Sequence, residues 1–271
     1  MTGPHASDPS VAKPGELERR CDLLRSLHVP GAPLVLPNAW DVASAKAVVA
    51  AGFPVVATTS GGVAAALGYE DHEGAPGEEM LAVAARIGRS VEVPVTVDAE
   101  AGYGMEPADL VAALKGVGAA GCNLEDTDHA AGSLRDPAQH AAWLHGVREA
   151  GSEQGYGLVI NARIDVFLAN LGEGAQRDLV PEALERARAY LEAGADCVYP
   201  IVLWEAPALA DFVAAAGGPV NVLAIPQAPS LPELAELGAT RISYGGLLHG
   251  QSIEQFNGTL ASIADAAAET R

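Results

Sequence analysis

The chain has few basic residues and few aromatic ones. Lys and Arg number 16 against 35 Asp and Glu, which gives a formal net charge of −19, and aromatic residues are 5%. Proteins that bind nucleic acid through its phosphates cluster Lys and Arg, and anionic membranes repel an acidic surface. The composition therefore argues against both partners. It still allows an anionic substrate, provided that a metal ion and a local Arg reverse the field inside a site.

Long apolar runs and cysteine pairs are also lacking. No apolar run reaches the about 18 residues of a membrane-spanning helix, and residues 1–13 lack the apolar core of a signal peptide. Cys21, Cys122 and Cys197 leave an odd thiol and show no metal-type spacing, which predicts reduced, buried thiols. We expect a cytoplasmic protein.

Hydrophobic residues make up 49% of the 271 residues, enough for one large core. Barrels of alternating strands and helices commonly take about 250 residues. The proline-rich stretch 1–15 predicts a disordered leader, and residues 16–271 are expected to form one domain. Leucines at helical spacing within Glu16–Leu27 predict a first helix that packs across one end of the fold.

A short apolar segment followed by an Ala- and Leu-rich amphipathic segment recurs along the chain. This alternation predicts parallel β-α-β units, and eight of them close most simply into a TIM-type (β/α)8 barrel of the α/β class. The predicted strands are Pro33–Pro37, Pro54–Thr58, Pro94–Asp98, Ala120–Glu125, Leu158–Arg163, Asp196–Pro200, Val220–Ala224 and Arg241–Tyr244. The predicted helices lie near Asp41–Ala50, Glu78–Ser90, Glu106–Gly116, Pro137–Ala150, Pro181–Glu192, Glu205–Ala215, Leu231–Glu236 and Ile253–Ala268.

Two successive predicted strands end in acids, Asp98 and Glu125, with Glu100 just beyond the first. Side chains alternate along a strand, and active sites of barrels lie at the carboxyl ends of the strands. If the two strands are neighbours, the three carboxylates converge and predict a Mg²⁺ site, with Mn²⁺ as the alternative ion. The competing interpretation is that such acids cap helices or face solvent, and that Glu100 is an exposed loop residue.

Three further features are candidates for the site: an arginine, a glycine-containing turn and an acid at the end of a loop. Arg163 can grip a substrate carboxylate or phosphonate, or can form an internal ion pair with Asp165 or Glu125. Ser60, Gly61 and Gly62 predict a turn whose N–H groups hold an oxyanion, or a flexible loop. Asp71 ends a loop that could swing toward the metal. His129, His140 and His145 show no metal-ligand spacing, and we expect the latter two at the surface.

At these residues the chain resembles the isocitrate lyase/phosphoenolpyruvate mutase superfamily, from about Leu34 to Gly246. The motifs that carry the resemblance are Pro37-Asn38-Ala39-Trp40-Asp41, Ser60-Gly61-Gly62, Leu67-Gly68 leading to Asp71, Val97-Asp98-Ala99-Glu100-Ala101-Gly102-Tyr103-Gly104, Leu124-Glu125-Asp126 and Asn161-Ala162-Arg163. The resemblance implies a (β/α)8 barrel, Mg²⁺ at the strand ends and cleavage or rearrangement of a bond next to a pyruvate-like carboxylate. By position, Asp98 would ligate Mg²⁺, and Asp71, Glu100 and Glu125 would hold its waters.

The resemblance also implies a substrate site. Ser60 and Gly61, with Gly62 and Asn38, would bind the oxo-acid end, and Arg163 its carboxylate. Glu100 departs from the usual Asp. Residues 126–135 lack both the cysteine motif of the lyases and the lysine of the phosphonomutases, which leaves the general acid unassigned. His129 and Ser133 are the candidate proton relays, and His129 is the better one because the pKa of histidine lies near neutrality, although a histidine in a polar loop is usually only solvated.

We therefore expect a Mg²⁺-dependent carbon–carbon lyase or decarboxylase that acts on a small 2-oxo or 2-hydroxy (di)carboxylate and releases a pyruvate-type product. The alternatives are a carbon–phosphorus enzyme acting on phosphonopyruvate or phosphoenolpyruvate, and a catalytically silent binder of 2-oxo acids. The resemblance further implies a homodimer or homotetramer.

Overall fold

Eight short apolar segments pair in parallel around a barrel, as the sequence predicts. The structure, a computed structural model, describes residues 15–270. The strands in chain order are β1 Leu34–Leu36, β2 Asn38–Ala39, β3 Val56–Thr58, β4 Val95–Asp98, β5 Gly121–Glu125, β6 Thr127–Asp128, β7 Ser133–Leu134, β8 Val159–Ile164, β9 Cys197–Pro200, β10 Asn221–Leu223 and β11 Arg241–Ser243. Strands β1 and β2 together form the first barrel segment. Strands β6 and β7 form a small antiparallel hairpin outside the barrel.

The order of strands around the barrel follows the chain. Strands β2, β3, β4, β5, β8 and β9 form one sheet, and β10, β11 and β1 form a second. A bridge between Val198 and Val220 joins β9 to β10, and β11 pairs with β1. These links close the ring, so the carboxyl ends of all eight segments face one mouth.

The first helix precedes the barrel strands and the others follow them, and every helix except the last has buried apolar residues. They are α1 Glu16–Ser26, α2 Val42–Ala50, α3 Ser60–Leu67, α4 Gly77–Ser90, α5 Pro107–Gly116, α6 Pro137–Glu153, α7 Val166–Ala169, α8 Gln176–Glu192, α9 Ala206–Ala215, α10 Leu231–Glu236 and α11 Leu247–Ala268. The sequence interpretation missed α3 and α7. Helix α8 begins at Gln176 rather than at Pro181, because the Gln176 side chain accepts the N–H groups of Trp204 and Glu205 and fixes the start there.

The first helix, α1, packs across the end of the barrel opposite the mouth, as predicted. Leu24 is fully buried, and a Cβ added at Gly121 would lie 2.7 Å from its Cδ2. Arg25 donates from Nε to Asp196 Oδ1 over 2.8 Å. A leucine therefore closes this end, and the absence of a side chain at Gly121 makes room for it.

Polar side chains occupy the middle of the barrel. Asn161 and Arg241 both donate to Asn123 Oδ1, over 2.8 and 3.1 Å. This arrangement turns the Asn123 amide nitrogen toward Asp98 Oδ1, 3.4 Å away. Asp98, Asn123 and Asn161 therefore all point into the barrel.

Several smaller predictions have outcomes here. The predicted leader over residues 1–15 lies outside the described residues except for Gly15. All three cysteines are buried and free, as expected. His145 is exposed, but the surface position expected for His140 is wrong, because His140 is buried against Trp143 and Tyr190. Among the helices of residues 15–270, none combines the length and apolar character needed to cross a bilayer.

Candidate active site

The acids predicted at neighbouring strand ends do lie on paired strands. Asp98 of β4 is in register with Asn123 of β5, and Glu125 of β5 is in register with Arg163 of β8. Three successive barrel strands therefore bring two carboxylates and one guanidinium to the same side of the mouth.

Asp98 is held by its neighbours at the end of β4. Its Oδ2 accepts the backbone N–H of Ser60 over 2.9 Å, and its own N–H donates to Thr58 Oγ1 over 2.8 Å. Thr58 is the last residue of β3, and Ser60 is the first residue of helix α3. The carboxylate is therefore fixed in the mouth rather than facing bulk solvent.

The Ser60-Gly61-Gly62 segment is not a loop; it is the first turn of helix α3. The N–H of Ser60 is taken by Asp98, and the first N–H groups of a helix have no acceptor within the helix, which leaves those of Gly61 and Gly62 for an oxyanion. A Cβ on Gly61 would lie 2.8 Å from Asp71 Oδ2, and one on Gly62 would lie 2.8 Å from Thr59 Cγ2. The two glycines therefore permit close packing of α3 in the mouth.

Glu100 is buried, so the alternative of an exposed loop acid is wrong. Only 2% of its surface is exposed, and its backbone adopts a left-handed φ of 48°. Its Oε2 accepts the backbone N–H of Glu73. Burial raises the pKa of Glu100 to about 8, and the nearby charges of Asp98, Asp71 and Glu125 add to the shift.

Asp71 lies on the loop between α3 and α4. Its Oδ1 is buried and has no hydrogen-bond partner among the described residues. An unpaired buried carboxylate oxygen is costly. A cation beside Asp71 would remove that cost, and it would also relieve the crowding of negative charge that raises the pKa of Glu100. The four predicted metal residues, Asp71, Asp98, Glu100 and Glu125, thus have the oxygen donors that suit Mg²⁺.

Arg163 forms both of the ion pairs that the sequence left open. Its Nε and Nη2 donate to the two oxygens of Asp165 over 2.7 and 2.8 Å, and its Nη1 lies 2.5 Å from Glu125 Oε2. Burial acts to raise the pKa of Asp165, but the charge of Arg163 outweighs it and holds that pKa below its usual value. The guanidinium is fixed by two buried carboxylates and keeps further N–H groups for a ligand.

His129 contacts the other oxygen of Glu125. Its Nε2 lies 2.5 Å from Glu125 Oε1, and the imidazole is largely buried. This hydrogen bond raises the pKa of His129, while burial raises the pKa of Glu125 against the opposing charge of Arg163. The β6–β7 hairpin presents His129 at the mouth, so the alternative of a merely solvated histidine is wrong.

Asn38 lies beneath the mouth, and its side chain is bonded to the backbone. Its Nδ2 donates to the carbonyl of Thr58 over 2.7 Å, and its Oδ1 accepts the N–H groups of Tyr244 and Gly245 over 2.8 and 3.0 Å. The structure thus gives Asn38 a bracing role. Its substrate contact stays a prediction.

Sequence reasoning missed His72 at this site. Its ring centroid lies 5.4 Å from that of His129, and donor atoms of His72, Glu125 and His129 all lie within 4.8 Å of one another. The available signal was the position of His72 directly after Asp71. The predicted site residues Asp98, Glu100, Glu125, Ser60, Arg163 and His129 do come together at the mouth.

A parallel barrel with carboxylates, an arginine and a histidine at the carboxyl ends of its strands has the architecture of a barrel enzyme. The chain belongs to the phosphoenolpyruvate phosphomutase family, whose model matches residues 24–264. This confirms the superfamily inferred from the motifs, a superfamily of lyases and mutases that typically depend on a divalent metal.

Individual relatives cover most of the chain. An uncharacterized protein of Mycobacterium tuberculosis is 37% identical over 224 residues, which is 82% of this chain and 81% of the relative. The probable 2-methylisocitrate lyase 2 of Corynebacterium glutamicum is 28% identical over 264 residues, or 93% and 83% of the two chains. The crystal structure of a candidate phosphonomutase from Burkholderia cenocepacia is 40% identical with a TM-score of 0.83, covering 90% of this chain and 99% of that one.

Proposed function

We propose that the protein is a Mg²⁺-dependent carbon–carbon lyase or decarboxylase acting on a small 2-oxo or 2-hydroxy (di)carboxylate. The observation that supports this proposal is the contact series Asp165–Arg163–Glu125–His129. In it, the arginine would bind a substrate carboxylate and the histidine would donate a proton nearby. A pyruvate-type acid offers the carboxylate that an arginine binds and the carbon that an acid protonates.

Asp98, Asp71, Glu100 and Glu125 would hold the cation, directly or through water. When bound, a divalent cation supplies Lewis-acid polarisation of the substrate's 2-oxygen. The unpaired Asp71 oxygen and the raised pKa of Glu100 support this placement.

The chain's own residues divide the remaining tasks. The free N–H groups of Arg163 orient the carboxylate, and the first-turn N–H groups of Gly61 and Gly62 face the developing oxyanion. In the decarboxylation of a 2-oxo diacid, the bond between C3 and the departing carboxylate breaks and CO₂ leaves, and the electron pair of that bond forms the enolate of the product, with its negative charge shared by C3. His129 then donates its proton to that carbon, and Glu125 orients the imidazole through Oε1. This assigns to His129 the role that a loop cysteine has in the lyases.

The test is a screen of 2-oxo and 2-hydroxy acids with lactate dehydrogenase coupling to detect pyruvate, with and without EDTA. We expect Mg²⁺-dependent turnover of at least one acid in the wild type, and its loss in Asp98→Asn. Asp211→Asn is the matched control, because that carboxylate is exposed on α9, where it pairs with Arg177.

Two results would contradict the proposal. Release of phosphate, or formation of phosphoenolpyruvate from phosphonopyruvate in ³¹P NMR without turnover of the other acids, would assign carbon–phosphorus chemistry. A thermal shift with oxalate and Mg²⁺ but no turnover of any acid would assign a silent binder.

We also propose that the protein associates through helix α11. Within the described residues, this helix of 22 residues has no buried side chain. Its exposed apolar residues recur at spacings that place them on one face: Ile253, Phe256, Leu260 and Ile263. A second copy of the chain would cover this face, because its apolar side chains lie in line as in paired helices.

A further inference from the structure

We propose that His72, Glu125 and His129 form a second divalent-cation site, which takes an imidazole-preferring transition metal of the Zn²⁺ type rather than Mg²⁺. Donor atoms of the three residues all lie within 4.8 Å of one another. Two imidazoles and one carboxylate suit Zn²⁺, Co²⁺ or Fe²⁺, whereas Mg²⁺ selects oxygen donors. This site shares Glu125 with the proposed Mg²⁺ site but uses neither Asp98 nor Asp71.

The spacing is close to that of a bound ion. Zn–N and Zn–O bonds of about 2.0–2.1 Å in a tetrahedron separate the donors by about 3.4 Å. The most separated donors therefore need to approach by no more than about 1.4 Å. His72 is exposed, so rotation of its side chain can supply this movement. Glu125 Oε1 and His129 Nε2, which lie 2.5 Å apart, would have to separate by about 0.9 Å to admit the ion.

The loop that carries His72 is fixed in an unusual conformation. His72 and Glu73 both have left-handed backbones, with φ of 66° and 57°. Such conformations are unfavourable for residues other than glycine. Glu73 offsets the cost, since its N–H donates to Glu100 Oε2 and its Oε1 accepts the N–H of Tyr103 over 2.6 Å. The result is an imidazole held over the mouth, facing His129.

The charges around the three residues favour a cation. Glu125 Oε2 is neutralised by Arg163, whereas Oε1 faces His129 at 2.5 Å. An ion between these two groups would take the place of the proton that they share, so the metal-loaded protein could not perform the proton transfer proposed for His129, and the transition metal would act as an inhibitor. Glu73 and Glu100 add negative charge close to His129. A fourth position would face the open mouth, where water or a ligand can bind.

The experiment follows Co²⁺ binding by visible absorption, with Zn²⁺ as competitor. We expect one Co²⁺ per wild-type chain, bands of a four- or five-coordinate ion, and displacement by Zn²⁺. His72→Ala and His129→Gln should each weaken Co²⁺ binding at least about tenfold. His145→Ala is the matched control, because this exposed histidine lies on α6 beside Glu149 and should leave binding unchanged.

A second measurement separates this site from the proposed active site. Asp98→Asn should lose the thermal shift produced by Mg²⁺ with oxalate and keep the Co²⁺ bands. If neither the wild type nor any variant shows the Mg²⁺-dependent thermal shift, the proposed function fails. If the Co²⁺ bands are nevertheless lost in His72→Ala, the transition-metal site stands. Absence of bands in the wild type, or equal Co²⁺ affinity in the wild type and both histidine variants, would overturn the site.

Discussion

Glu125 and His129 lie 2.5 Å apart, Oε1 to Nε2, on a carboxylate whose other oxygen contacts Arg163. The histidine is four residues along the chain from the acid, on the hairpin that follows β5. A carboxylate fixed on one side by a buried guanidinium orients the imidazole on its other side. This relationship is the basis for the roles proposed for both residues.

His129→Gln should lower kcat by about 10²–10⁴-fold, which is the usual contribution of a general acid or base, with a smaller change in KM. Glutamine retains a polar group near Glu125 but has no titrating proton. Steady-state kinetics on the acid found in the screen would measure the effect. His145→Gln should leave kcat unchanged, and a loss below about threefold in His129→Gln would remove His129 from proton transfer.

Arg163→Lys should destabilise the protein by about 2 kcal/mol or more. A lysine ammonium cannot bond both Asp165 and Glu125 in the planar arrangement of the guanidinium, so one buried carboxylate loses its partner. Urea unfolding followed by circular dichroism measures the change. Arg177→Lys is the control, because its pair with Asp211 is exposed and should change stability by less than about 0.5 kcal/mol. Equal effects of the two substitutions would contradict the prediction.

His140→Phe should remove part of the loss of stability in acid. Burial lowers the pKa of His140 to about 3, and neither ring nitrogen has a partner among the described residues. Below its unfolded pKa of about 6.5, the unfolded chain binds a proton that the folded chain does not. His140 therefore costs up to about 1.4 kcal/mol of stability per pH unit as the pH falls from about 6.5 toward 3.

Urea unfolding of both proteins at about pH 7, 6 and 5 tests this. The difference in unfolding free energy between His140→Phe and the wild type should grow as the pH falls. Burial also lowers the pKa of His28 to about 4. His28 is present in both proteins, so its contribution to the unfolding free energy cancels in the difference. A difference that stays constant with pH would show that His140 does not titrate as its burial implies.

Phe256→Glu together with Leu260→Glu should reduce the oligomer to monomer in size-exclusion chromatography with light scattering. Both side chains belong to the exposed apolar face of α11, and burying two carboxylates in an interface is costly. Ser262→Glu, on another side of the same helix, should leave the mass unchanged. A wild-type monomer at micromolar concentration would contradict the proposed association.

Strand positions could be predicted from the sequence because a buried parallel strand is a short apolar run between turn residues. Asp98 and Glu125 could be predicted as neighbours because successive β-α-β units place successive strands side by side. Arg163 lies near the end of β8, the next barrel strand along the chain, so the same argument predicts that it lies beside Glu125. The local sequence pattern and the order of the strands along the chain are therefore sufficient to predict this part of the site.

The parts that were missed depend on contacts between distant segments. Helix α3 begins at Ser60-Gly61-Gly62, where glycine disfavours a helix, because Asp98 accepts the Ser60 N–H from another strand. His72 reaches His129 only because Glu73 is bonded to Glu100 and Tyr103. Spacing along the chain contains no sign of these bonds.

The side chain of Asn38 has a consequence for the order of assembly during synthesis. It joins the carbonyl of Thr58 to the N–H groups of Tyr244 and Gly245, which emerge from the ribosome long after Asn38 itself. Until Tyr244 and Gly245 arrive, the amide oxygen of Asn38 lacks these two donors, and β1 lacks its partner strand β11. A growing chain can thus pair most of its strands while the mouth stays unfinished, so the pocket can be completed only after β11 has been made.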